Sequence, residues 1–490
     1  MIRPLSLLRR GAALPVAAAV LALLAGCADM SGIAPQAKLR DADSLGLKAA
    51  PFSTGISAVD ARWWTGFGDA QLDALVDEAL AGSPNIAVAR ARLSRAQATI
   101  ATAESADRPQ INASLDATRQ KFSANYIYPS PLGGSIQEVG LLQLSGSWEI
   151  DFFGKNRAAL DSALGSSNAA AAEVDAARIL LASNVARGYI QWARLNDQLV
   201  VAKRTLAQRD ETLRLVHDRV SAGLDTRLEL RQSEGGLPEA RQQIEALDEQ
   251  IAIARHALDA LVARPDATQS LTPPTLASLH AVALQPNIPA DLLGRRADIA
   301  AARWRVEAAT GDVAGAKTLF YPNVSLTAFV GVQSLGFDNL LKSDSVLGGV
   351  GPAIRLPIFE GGRLRANLRG KAADLDAAIE SYNASVLDAV RDAADQVSSA
   401  QSVARQQAQQ REAQAAAEGA YEIARQRYRA GLGNYLNVLT AESTVLAQRR
   451  QAVDLAARAL ETQVGLARAL GGGWQPPVAV AATAKTVVTH

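Results

Sequence analysis

Two stretches of this chain, Lys155 to Val220 and Arg363 to Arg429, run for more than sixty residues each without a proline and with little glycine. Proline kinks or ends a helix and glycine weakens one. Their scarcity predicts two helices, each on the order of 100 Å long. An ordinary globule has no room for such an element. Shorter return runs follow, Thr226 to Ala263 and Asn434 to Leu470, and Pro238 should bend the first of them. Small residues recur at heptad-like spacing, as at Ala389, Ala393, Ala400 and Ala404, while Arg391, Asp392, Asp395 and Arg405 fill other faces. Helices of this kind need partners along their length. An antiparallel coiled-coil spacer meets that need as well as the wall of a tube does.

Each long run is preceded by a pair of alternating segments. Leu142, Leu144, Trp148, Ile150 and Phe152 alternate with Gln143, Ser145, Ser147, Glu149 and Asp151. Ile111, Ala113, Leu115 and Ala117 alternate with Asn112, Ser114, Asp116 and Thr118. Val324, Leu326, Ala328 and Val330 do the same, less strictly at Phe329, and the fourth segment, Val350 to Ile358, is interrupted by Pro352 and Pro357. A strand sends successive side chains to opposite faces, so each segment has one apolar and one polar side. A half-buried sheet in a soluble sandwich fits this alternation. So does a membrane barrel, since about ten residues of tilted strand cross a bilayer. Four strands close no barrel, because small barrels need about eight and lipid tolerates no open edge. If these segments span a membrane, several chains must pool them, and three chains would give twelve strands.

The two halves of the chain echo each other. Pro84 to Arg90 matches Ala297 to Arg303, and Arg108 to Asn112 matches Tyr321 to Ser325, at one common offset. Phe153 to Arg157 matches Phe359 to Arg363, and Arg219 to Leu224 matches Arg427 to Leu432. Matches in the same order indicate two copies of one unit, 61–264 and 291–474, with strands near 109–120, 140–153, 321–333 and 346–359. A Pro-rich linker, 265–290, joins them, and 475–490 is expected to be a flexible tail.

The first residues read as an address. Arg3, Arg9 and Arg10 precede the uncharged run Ala12 to Ala25, which ends Leu24-Ala25-Gly26-Cys27. This is the pattern of a secretory signal, 1–26, cut before a lipidated cysteine. Residues 27–60 would then be a lipid-anchored segment. Ala28 rather than Asp follows Cys27, which favours the outer membrane. Cys27 is the only cysteine, so the chain closes no disulfide of its own. A net charge of +1 gives no field directed at nucleic acid.

Several stretches together resemble the TolC-like outer membrane factor family, most closely its efflux lipoprotein branch of the NodT type. They are Trp63 to Asp69 with Leu72 and Leu75; Leu292 to Ile299; Phe320-Tyr321-Pro322; Leu356 to Gly362; Arg427 to Gly431 with Asn434-Tyr435-Leu436; and Ala469 to Trp474. Ala297 stands where the family usually has proline. The resemblance implies a mixed α and β membrane protein. It would be a homotrimer with a twelve-stranded outer-membrane β-barrel continued by a long periplasmic α-helical barrel. It implies a passive exit duct for small molecules, served by a periplasmic adaptor protein and an inner-membrane pump, commonly of the resistance-nodulation-division (RND) class. Protein export by a type I system is the alternative within transport, and a structural envelope spacer the alternative outside it.

By the same resemblance, Leu436 matches an apolar position of the periplasmic gate and Tyr428 a tyrosine that ties the closed tip. Asn437 and Thr440 stand where the family often has aspartates, and Glu442 and its counterpart Glu234 are nearby acids that could form a ring instead. A solvated helix face is an equal reading of both. Ala222-Gly223-Leu224 and Ala430-Gly431-Leu432 match the turns that meet the adaptor.

No catalytic constellation competes. His217, His256, His280 and His490 show no metal-ligand spacing, and HExxH, a nucleophile elbow and a P-loop are missing. Paired acids such as Asp77-Glu78 lie in charged helical surroundings. No enzyme activity, metal or cofactor is expected.

Overall fold

The computed structural model describes residues 30–40, 59–280 and 295–475. Cys27, the signal sequence, part of the linker and the tail beyond 475 lie outside the described residues. The elements in chain order are α1 (Ala70–Gly82), α2 (Pro84–Ser105), β1 (Gln110–Lys121), β2 (Ile136–Ile150), α3 (Lys155–Ser221), α4 (Arg227–Val262), α5 (Ala297–Thr318), β3 (Asn323–Leu335), β4 (Val346–Arg355), α6 (Arg363–Arg429) and α7 (Tyr435–Ala469). The order helix, two strands, long helix, shorter helix therefore occurs twice. Both long helices have 67 residues. Among the described residues, no helix is long and apolar enough to cross a membrane.

The chain forms two compact units, and each half contributes to both. One unit draws on residues up to Leu39, Arg92–Ala170 and Ala302–Tyr382; the other on Arg40–Ala91, Ala171–Ala301 and Asn383 onward.

The first unit holds an antiparallel sheet in the order β1-β2-β3-β4. Its register places Leu115 opposite Leu142, Leu142 opposite Val332, and Val332 opposite Val346. One face is therefore apolar across all four strands, and Ile111, Leu144, Val330, Val350 and Ile354 on it are exposed. The other face carries Asn112, Ser114, Gln143, Ser145, Ser325 and Thr327. Phe329 breaks the alternation because it covers Gly349, whose added Cβ would lie 2.9 Å from the Phe329 ring. Strand β2 begins four residues earlier than 140 and stops at Ile150, so Phe152 lies outside it. Pro352 does not break β4, which continues through it with Pro352 opposite Leu326.

The same unit brings α5 against α3. A Cβ at Gly165 would lie 2.7 Å from the Ala308 backbone nitrogen, and one at Gly311 2.8 Å from that of Ser162. These glycines let two backbones meet at a distance no side chain permits. Val306, Val313, Phe320, Leu364 and Leu368 form the adjoining core. Residues 30–39 lie on it as a strap. Ser31 accepts from Arg365 Nη2 at 3.1 Å, and both the Gln36 and Ala37 N–H groups donate to Asp376 Oδ1 at 2.8 Å.

The second unit is built on an aromatic core of Trp63, Trp64, Phe67, Tyr189 and Trp192. Asp69 caps α1 by accepting from the Gln71 and Leu72 N–H groups, and Tyr189 Oη donates to its other oxygen at 3.0 Å. Helix α4 continues through Pro238. Along α6, Ala389 and Ala393 are buried, Ala400 is half-buried and Ala404 is exposed, Val403 taking the inward place. A straight helix drifts from a strict seven-residue spacing, which explains the slip.

Candidate functional site

The turn and gate residues singled out in the sequence lie towards one end of the second unit, where α3 turns into α4 and α6 into α7. Both turns have one design. The Gly223 N–H donates to Val220 O at 3.0 Å and the Leu224 N–H to Arg219 O at 2.8 Å; Gly431 donates to Tyr428 O and Leu432 to Arg427 O at the same two distances. Gly223 and Gly431 both have φ of +74°, a conformation glycine adopts freely. The returning helices start on side-chain caps. The Thr226 side chain accepts from the Leu228 N–H in a capping box with Glu229, and the Asn434 side chain accepts from the Asn437 N–H. Ala222, Leu224, Ala430 and Leu432 are exposed at the tips.

Behind the turns lies a cluster that the sequence reading found only in part. Tyr428 is fully buried. Its hydroxyl donates to Asp225 Oδ2. Arg219 donates to both Asp225 oxygens at 2.8 and 3.2 Å and to Tyr428 O at 3.0 Å, and its guanidinium lies 4.6 Å above the Tyr428 ring. The hydrogen bonds from Arg219 hold the Asp225 carboxyl below the usual carboxylate range. Burial, reinforced by Asp225, raises the Tyr428 phenol. One arginine, one carboxylate and one phenol thus join the first turn to the end of α6.

A second node lies further along. Arg209 on α3 donates to Glu442 on α7 and to Glu239 on α4, both at 2.8 Å. Glu442 is only 7% exposed. Its carboxylate is matched by a guanidinium within the same chain, so the structure gives it a pairing role. Glu234, its counterpart, is paired with Arg231 three residues before it on the helix surface. The two acids therefore have unlike surroundings. In a third node Arg449 on α7 donates to both oxygens of Glu418 on α6 at 2.6 Å and to Gln208 on α3 at 2.9 Å. Together these nodes cross-brace all four helices around Val216, Tyr421, Tyr435, Val438 and Val445.

Leu436, Asn437 and Thr440 lie on the other side of α7, all exposed, Leu436 at 59%. Thr440 Oγ1 bonds back to Leu436 O at 2.9 Å. No carboxylate occupies that face at these positions. Among the described residues, no group of His, Cys, Asp and Glu could hold a metal ion.

Asp225, Arg219, Arg209, Arg449 and Glu418 were not singled out in the sequence. Two departures between the matched turns carried a signal: Asp225 stands against Gly433, and Val220 against Tyr428. A chain that breaks its own duplication at both ends of one hydrogen bond marks a place where the halves do different work.

Known proteins resemble this chain over most of its length. The profile of a family described as outer membrane efflux protein matches residues 75–264 and 288–472. The fusaric acid resistance protein FusA of Burkholderia cepacia is 39% identical over 71% of this chain and 67% of its own. The putative multidrug resistance outer membrane protein MdtQ of Escherichia coli K12 is 31% identical over 93% of this chain and 97% of its own. The crystal structure of the outer membrane protein VceC of Vibrio cholerae superposes with a TM-score of 0.80 at 36% identity, covering 85% of this chain and all of that one.

Proposed function

The chain belongs to the outer membrane efflux protein family, and from that premise we propose that three copies close one channel, each giving four strands of a twelve-stranded barrel. The long helices of the three chains form a periplasmic helical barrel. The assembly is a passive duct: a periplasmic adaptor docks on the turns at Ala222-Gly223-Leu224 and Ala430-Gly431-Leu432, and an inner-membrane pump of the RND class supplies the energy. Cys27 carries lipid and anchors each chain in the outer membrane. The cargo is small toxic molecules, the class for which FusA and MdtQ are named.

The observation that carries this reading is the sheet. A single chain offers four strands with one face apolar across the middle of all four, an opposite face carrying most of the polar residues, and unpaired edges at β1 and β4 among the described residues. Such edges cannot stand in hydrocarbon, and neighbouring copies supply the missing partners. The apolar side faces lipid and the polar side lines a wet pore.

The two faces make opposite predictions. Leu115→Arg on the apolar side should cost about 2–4 kcal/mol at mid-membrane and abolish heat-modifiable trimers. Ser114→Arg, one residue away on the polar side, should leave trimers intact and change conductance in planar bilayers. Equal tolerance of both substitutions, or a stable soluble monomer without detergent, overturns the reading.

A further inference from the structure

The apolar face of the sheet does not remain apolar to its end. All four helix-connected strand ends lie at one end of the sheet, and the hairpin loops lie at the other. Towards the loops, β1 continues past Leu115 and Ala117 to Arg119 and Lys121, and the register keeps both on the same side, opposite Glu138 and Ile136. The Arg119 side chain is 74% exposed, with Glu138 4.0 Å away, the outer limit for an ion pair. Lys121 is exposed, and its side chain has no hydrogen bond or ion pair among the described residues. The same face therefore carries two cations above a greasy band.

Beside them the β3–β4 loop folds over this face. A Cβ at Gly140 would meet both δ carbons of Leu340 at 3.2 Å and the Phe337 ring at 3.3 Å. Phe337 is 44% exposed and Ile136 58%. The loop thus adds an apolar shelf next to the basic pair. The opposite side of the strands at this level shows Thr118, Gln120, Gln137, Val139 and the half-exposed Leu335, with no cation among them. The positive charge is confined to the outward side, where it adjoins the Phe337–Leu340 shelf, away from the proposed pore.

We infer that Arg119, Lys121 and the Phe337–Leu340 shelf form a docking surface for a phosphorylated glycolipid of the outer leaflet. This rests on the barrel reading above, in which the loop end faces the exterior. Glycolipid of the lipid A type carries phosphates on its sugar backbone and acyl chains below. Cations at the rim and apolar side chains beneath match that order. Anionic glycerophospholipid shares the phosphate but has fewer chains to cover the shelf.

The test uses the full trimer, purified in detergent and challenged with defined lipids, with retention read by native mass spectrometry. Diphosphorylated lipid A should be retained at least tenfold more by the wild type than by the Arg119→Ser/Lys121→Ser variant. Arg119→Lys/Lys121→Arg should restore retention. Lipid A lacking one phosphate should be held more weakly, and phosphatidylglycerol should not compete at equal concentration. Equal retention by wild type and double-serine variant, both running as heat-modifiable trimers, overturns the glycolipid site alone. Phosphatidylglycerol displacing lipid A at equal concentration also overturns it. Failure of the wild type to form trimers overturns the barrel itself.

Discussion

Tyr428 illustrates how one side chain can carry several couplings at once. Its ring is covered by Arg219, its carbonyl accepts from the same guanidinium, and its hydroxyl donates to Asp225. Tyr428→Phe removes the last of these and should destabilise the tip by about 1.5–3 kcal/mol, the range for a hydrogen bond to a charged group. Single-channel conductance should rise while trimer yield stays constant. The pH response follows from Asp225. Its carboxyl is held below the unfolded value, so its stabilisation is present above pH of about 4 and is lost as pH falls through the lowered folded value. Conductance of the wild type should therefore increase only in that acidic window, and Asp225→Asn should conduct freely at pH 7. At the alkaline end the raised phenol keeps its proton, and the bond with it, beyond the ordinary tyrosine range. The sequence pointed to Tyr428 through resemblance alone. It could not pair Arg209 with Glu442, because 233 positions separate them and no local spacing encodes a contact between helices.

Elements were far more legible. Helix α6 spans the limits expected of it, and α4 and α7 start just after Thr226 and Asn434, the residues that cap them. Proline, glycine and capping side chains act through their immediate neighbours, so their message survives in a linear reading. Exceptions arose where a second element intervened. Phe329 violates the two-residue rhythm because Gly349 on the next strand leaves room for it. Gly165 in α3 reads as a weak helix former, yet with Gly311 it allows the α3–α5 approach. Gly311→Leu should force those backbones apart, costing about 1–3 kcal/mol by overpacking. A lower midpoint of thermal unfolding checks this, whereas Gly419→Leu, at an open site on α6, should leave the midpoint unchanged.

At the scale of the whole molecule, the incompleteness of the single chain was the most informative property. Counting alternating segments was enough to require several copies if the strands span a membrane, since an open edge finds no partner in lipid. How copies would meet was illegible, because the four segments are alike and linear order does not say which edges pair. The exposed tips raise the same question towards a second protein. Gly431 points no side chain anywhere and is open to solvent, so Gly431→Arg should leave trimer and insertion intact while abolishing efflux. Unchanged drug susceptibility in that variant would remove the turn from the docking surface.

The strap of residues 30–39 has a practical corollary. Two amide protons held by one oxygen of Asp376, and a carbonyl held by Arg365, moor this stretch to the flank of α6. A dye attached at Ser31 would then ride with the sheet-bearing unit and tumble at its rate. Cutting both moorings with Arg365→Ala/Asp376→Ala should set that dye spinning independently, and loss of fluorescence anisotropy would show it.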